Sequence, residues 1–196
     1  MKDIEKELHE QGNHSHSHTT CSCGHDHEHH HLDLDDLEVD QGLTVEFIVD
    51  MQASIERVWQ MLTENDQLAL WFPELAFESL KSGGVLRFNY PDGGHEEMMV
   101  LDVEKPHYLS YTWDLNTVTF ELTSNEENTE TELKFTEWLS EINDHTPKDV
   151  AGWLICLQVI ASIINEVPFE DREAKFYEVY PQVKEMLAQQ SDYEFE

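Results

Sequence analysis

The chain has 196 residues, with 42 acidic side chains against 11 basic ones and a formal charge of −31. Nucleic acid and anionic membranes both select a basic face, so neither is expected as a partner. Apolar residues at 39% and aromatics at 10% suffice for one globular core of roughly 150 residues with a further segment attached.

That segment comes first. Residues 1–42 hold eleven acids and two lysines, which leaves them at −9, and nine of the twelve histidines lie in the first 31 residues. The composition predicts a disordered, His-rich, acidic extension. Its candidate metal ligands are His14, His16, His18, Cys21, Cys23, His25, His27, His29, His30 and His31. Imidazole and thiolate donors on a flexible chain suit a divalent transition metal, Zn(II) or Ni(II), in exchangeable sites. No cofactor is expected to be obligatory. Cys21 and Cys23 are too close for an unstrained disulfide, and three cysteines make no secreted framework. The opening MKDIEKELHEQG lacks the apolar centre of a signal peptide, so a reducing cytoplasm is expected.

From Leu43 the pattern changes to period two. Leu43, Val45, Phe47, Val49 and Met51 share one face, as in a half-buried strand. Ser54 is placed to cap a helix carrying Val58, Trp59 and Leu62, and a second short helix is expected over 65–72, stopped by Pro73. Five more strands follow. Their markers are Val85–Tyr90, Met99/Leu101/Val103, Leu109/Tyr111/Trp113, Val118/Phe120/Leu122 and Leu133/Phe135. Gly83-Gly84 and Pro91-Asp92-Gly93-Gly94 read as turns between them. Tight connections between consecutive strands predict an antiparallel sheet.

Thr146-Pro147-Lys148-Asp149 predicts a helix start, with Thr146 capping and Asp149 in the capping-box position. Val150, Trp153, Leu157, Ile160 and Ile164 give that helix a broad apolar face, and Pro168 is expected to end it. Trp153–Ile164 is too short, and too interrupted by Gln158 and Ser162, for a membrane span. Residues 168–190 read as a C-terminal helical addition broken near Pro181. The order predicts an α+β helix-grip arrangement: a curved antiparallel sheet around one long helix, with a core at 43–167 in a domain at 43–190.

Several segments then point to a family. They are Ser54-Ile55-Glu56-Arg57-Val58-Trp59, Leu70-Trp71-Phe72-Pro73, Lys81-Ser82-Gly83-Gly84, Leu109-Ser110-Tyr111-Thr112-Trp113 and Gly152-Trp153-Leu154. In this order and spacing they resemble the SRPBCC (START-like) superfamily, in the branch named after the activator of the heat-shock protein 90 ATPase. The resemblance implies a cavity between sheet and long helix that takes apolar or aromatic small molecules, or a role as a chaperone partner. It carries no shared catalytic motif.

Candidate ligand-binding residues are Trp71, Phe88, Tyr90, Tyr111, Trp113, Phe120, Trp153 and Leu157, each weighed against a place in the core. No catalytic set is evident. His95, His107 and His145 read as turn or surface residues, Cys156 as a small buried hydrophobe, and of Glu96 and Glu97 at most one can point inward. The expected function is non-catalytic binding of an apolar or aromatic small molecule, with a metal-binding tail. The alternatives are a co-chaperone and an enzyme on a hydrophobic substrate. An open cavity with inward polar groups would favour the enzyme, a purely apolar one binding, and a filled one protein interaction.

Overall fold

The structure, a computed structural model, describes residues 42–195. In chain order the elements are β1 Leu43–Met51, α1 Ile55–Thr63, α2 Asn65–Leu68, β2 Leu75–Phe77, β3 Val85–Asn89, β4 His95–Glu104, β5 Tyr108–Trp113, β6 Asn116–Ser124, β7 Thr131–Leu139, α3 Thr146–Ile164 and α4 Arg172–Gln190. The seven strands form one antiparallel sheet in the order β1-β7-β6-β5-β4-β3-β2. This is the expected α+β helix-grip fold, with α3 laid across the sheet's inner face.

Alternation decides which face is inner. Along β7, Leu133, Phe135 and Leu139 are fully buried while Glu132 and Trp138 are exposed. Phe135 pairs with Phe47 on β1 and Phe120 on β6, and the Phe135–Phe120 and Phe135–Trp153 centroids lie 5.3 and 5.0 Å apart. Each such ring contributes roughly 1.5–3 kcal/mol through burial. At β4 the register shifts between Val100 and Asp102. A bulge of this kind bends the strand, which lets the β2–β3–β4 wing curl over the N-terminal end of α3.

Five local details differ from the sequence expectation. One of the seven strands has no counterpart among the sequence markers: β2 has three residues, and its Phe77 exchanges two hydrogen bonds with the Asn65 side chain (2.8 and 2.9 Å). No periodicity is visible over so short a stretch. Helix α2 stops at Leu68, earlier than expected. At the start of α3 the N-cap position is His145, not Thr146, and the capping side chain is that of Asn143. Asn143 Oδ1 accepts from the His145 and Thr146 amides, and Thr146 Oγ1 accepts from the Asn143 amide at 3.0 Å. This reciprocal pair frees Asp149 for another partner.

The end of α3 is set before Pro168, by Glu166 in the left-handed region (φ 53). α4 runs through Pro181 without interruption. Its Val183 and Leu187 pack with Val45, Leu139, Val150 and Ala151 in a second small core. Arg172 ties the start of α4 inward, donating to the Trp71 carbonyl at 2.9 Å and to Cys156 Sγ at 3.1 Å. Helix α3 has the length and hydropathy of a membrane span. Here that apolar girth packs into the protein core.

Candidate functional site

An open cavity of about 370 Å³ lies between the β3–β5 wall and the N-terminal end of α3. Phe88 (β3), Tyr90, Met98 (β4) and Trp113 (β5) form its apolar wall, with Leu115 at the rim. Phe88 sits 5.1 Å from Tyr90 and 6.2 Å from Trp113, centroid to centroid. The β5–β6 hairpin positions the rim. Asp114 takes a left-handed conformation (φ 51), a cost that aspartate bears more easily than most residues.

The remaining lining is polar, and half of it is acidic. Glu96, Asp114, Glu141 and Asp149 line the cavity with His145, and no lysine or arginine is among them. Glu96 accepts from the Tyr90 hydroxyl at 2.8 Å. Asp149, one turn into α3, receives the Trp113 indole N–H at 3.1 and 3.0 Å to its two oxygens.

Behind Asp149 is Glu137 of β7, with no accessible surface. One of its oxygens accepts from Asn116 Nδ2 at 3.3 Å, while Oε2 finds no donor among the described residues. The carboxyls of Glu137 and Asp149 also hydrogen-bond to each other. Two carboxylates can make such a bond only with a proton between them. Burial, then the Asp149 charge, pushes Glu137 up to about 8. Burial also raises Asp149, opposed by the Trp113 bond, His145 and the hydrogen bond from Glu137. Glu137 is therefore the member of the pair that holds its proton into the neutral range.

The eight aromatic and aliphatic candidates divide. Phe88, Tyr90 and Trp113 line the cavity. Trp71, Tyr111, Phe120, Trp153 and Leu157 lie in the packed core, each at most 2% exposed. Trp153 supports the cavity from behind, 4.9 Å from Trp113, and its indole N–H has no partner among the described residues. Glu137 and Asp149 were not among the candidates. Glu137 had a legible signal, because it falls on the inward face of β7 between Phe135 and Leu139. The metal-ligand candidates His14, His16, His18, Cys21, Cys23, His25, His27, His29, His30 and His31 lie outside the described residues. Within the described residues no group of three or more His, Cys, Asp or Glu side chains could hold a metal ion.

Comparison with known proteins places this geometry. The profile of the family described as Activator of Hsp90 ATPase homolog 1-like protein matches residues 52–165. The chain belongs to that family. The match spans α1, α2, β2 to β7 and the whole of α3, so it covers the residues that line the cavity. Among solved structures, a conserved protein of unknown function from Enterococcus faecalis is similar at 29% identity, over 78% of this chain and 88% of that one, with a TM-score of 0.70. A Bacillus halodurans protein shares 26% identity over 62% of this chain and 96% of its own (TM-score 0.51). A Bordetella parapertussis protein has the same fold at 21% identity, over 76% and 86% of the two chains (TM-score 0.58). No curated protein matches. The family includes ligand-binding and co-chaperone-like members.

Proposed function

We propose that this member of the family binds a small molecule with an aromatic or apolar body in the cavity beside α3. The observation that supports this best is the open aromatic wall of Phe88, Tyr90 and Trp113 at about 370 Å³, a size within the range of ligand sites. An interior meant only for stability would close over these rings. The test is titration with Nile red, a neutral apolar dye. Saturable binding at one site supports the reading, and Tyr90→Ala should weaken it several-fold. Tyr90 is 43% exposed, so its truncation leaves the fold intact. Unsaturable dye uptake, equal in the variant, would refute the reading.

The lining is not purely apolar, and this favours a second reading. Glu137, which keeps its proton towards pH 8, beside the cavity-lining Asp149 makes a carboxyl pair of the kind used in acid–base chemistry. Catalysis would show as a released species differing in mass from the one supplied, and its absence in Glu137→Gln. A co-chaperone role, suggested by the family description, would show as a changed ATPase rate of heat-shock protein 90. For the N-terminal segment we propose binding of Zn(II) or Ni(II), supported by nine histidines and two cysteines within 31 residues.

A further inference from the structure

Acidic side chains around a cavity say nothing of a ligand by themselves, since the whole chain is acidic. Glu137 is different. It is wholly buried, its Oε2 has no donor among the described residues, and it stands directly behind the cavity-lining Asp149. Besides Asn116 on Glu137 and Trp113 on Asp149, no side chain of the described residues donates to this buried pair, so it needs either a bound proton, which serves while the cavity is empty, or a positive group docked on Asp149 from the cavity side. Asp149 itself is held facing that side by the Trp113 indole N–H, with the Trp113 ring forming the adjacent wall.

We propose that the cavity takes an organic cation: a protonated amine on an aromatic or apolar body, its ammonium docked on Asp149 with Glu137 behind. This rests on the reading of the cavity as a small-molecule site and names the ligand class. Three features select that class. The apolar wall holds the body, and indole and phenol faces attract an ammonium. The lining has four carboxylates and no lysine or arginine, so an organic anion is repelled. A bare metal ion does not fit, because among the described residues no group of three ligating side chains is assembled.

Glu137 then sets the pH dependence. The groups facing the pair are Asn116 on β6, Trp113 and Tyr111 on β5, Asp114 in the β5–β6 turn, and His145 on the approach to α3. Apart from His145, none of these can supply a positive charge. With its proton in place the pair carries one negative charge, and with the proton released it carries two. Ammonium binding favours the second state, so the proton on Glu137 leaves to solvent as the amine docks. Affinity should rise between pH 6.5 and 8.5, while an ordinary alkylammonium is still charged.

The experiment is calorimetric titration of the full chain with 2-phenylethylamine, 2-phenylethanol and phenylacetate. At pH 7.5 the amine should bind at least about tenfold tighter than the alcohol, and phenylacetate weakest. Asp149→Asn should remove the amine preference, bringing amine and alcohol to within about twofold of each other. Glu137→Gln should keep the preference but flatten its pH dependence, and should abolish proton release measured in buffers of different ionisation enthalpy. Equal binding of amine and alcohol, or a preference that survives Asp149→Asn, would overturn the cation assignment and leave the cavity reading standing. Failure of all three probes together with Nile red would overturn both. Circular dichroism of each variant separates lost binding from lost fold.

Discussion

Replacing Glu137 by glutamine should make the protein more stable at alkaline pH and little different at acid pH. Gln keeps the shape and the hydrogen bond from Asn116, and its amide can donate to Asp149 where the acid proton now does. The folded state holds the Glu137 proton up to about pH 8, whereas the unfolded chain releases it near the ordinary 4.5. Between those values the folded state binds more protons, so wild-type stability falls as pH rises through the window. The full shift corresponds to roughly 4–5 kcal/mol, at 1.36 kcal/mol per pH unit. Part of it is repulsion from Asp149 that local movement can relieve, so roughly 3 kcal/mol is the expected loss. Urea unfolding followed by tryptophan fluorescence, at half-unit steps from pH 5 to 8.5, gives both curves. They should nearly coincide at pH 5 and diverge steadily above it. Parallel curves across the whole range would refute a protonated, buried Glu137.

Other outcomes follow from the same packing. Trp113→Phe keeps most of the ring but removes the indole donor to Asp149. It should cost about 1–3 kcal/mol at pH 7.5 in urea unfolding, and less in acid once Asp149 is protonated and the indole no longer donates to a charge. Cys156 is buried and its thiol is pushed up to about 11 by burial, against the opposing pull of Arg172. In reduced native protein at pH 8 it should be the slowest of the three thiols to react with an aromatic disulfide reagent, limited by unfolding. Arg172→Ala should loosen α4, seen as faster amide exchange at 174–180, with a stability loss of about 2 kcal/mol. For the N-terminal histidines, Zn(II) affinity by titration calorimetry should fall steeply between pH 7.5 and 5, with a midpoint near pH 6, because protons compete for the same nitrogens. Equal affinity at both ends would argue against histidine ligation.

Much of the fold was legible because its signals are local. The period-two face of β1, the Ser54 cap and the apolar girth of α3 each depend on residues within one element, and all appear where expected. The details that were missed depend on distant partners. Asn65 supports β2 from twelve residues away. Asn128, in the β6–β7 turn, accepts the Ile55 amide at the start of α1 at 3.0 Å, adding to the local Ser54 cap. No sequence window contains both members of such a pair. For the cavity the aromatic residue types were the right ones to examine, yet period alone could not say which ring faces the cavity and which fills the core. Phe88 and Trp113 differ from Phe120 only in where on the curved sheet they sit, and Trp153 comes from α3 behind them.

The −31 charge illustrates the same division. Composition by itself excludes a basic binding face, sets the size of the core and yields the order of strands and helices, because these depend on residue type and short-range spacing. It treats all 42 acids alike. Only the tertiary structure separates Glu137 and Asp149 from the rest, since that requires β7 and the start of α3 to meet beneath the wall formed by β5. On the surface a carboxylate is stabilised by water and says little. Enclosed with a second carboxyl and one indole donor, it has lost that water, and the proton it shares becomes a property of the fold.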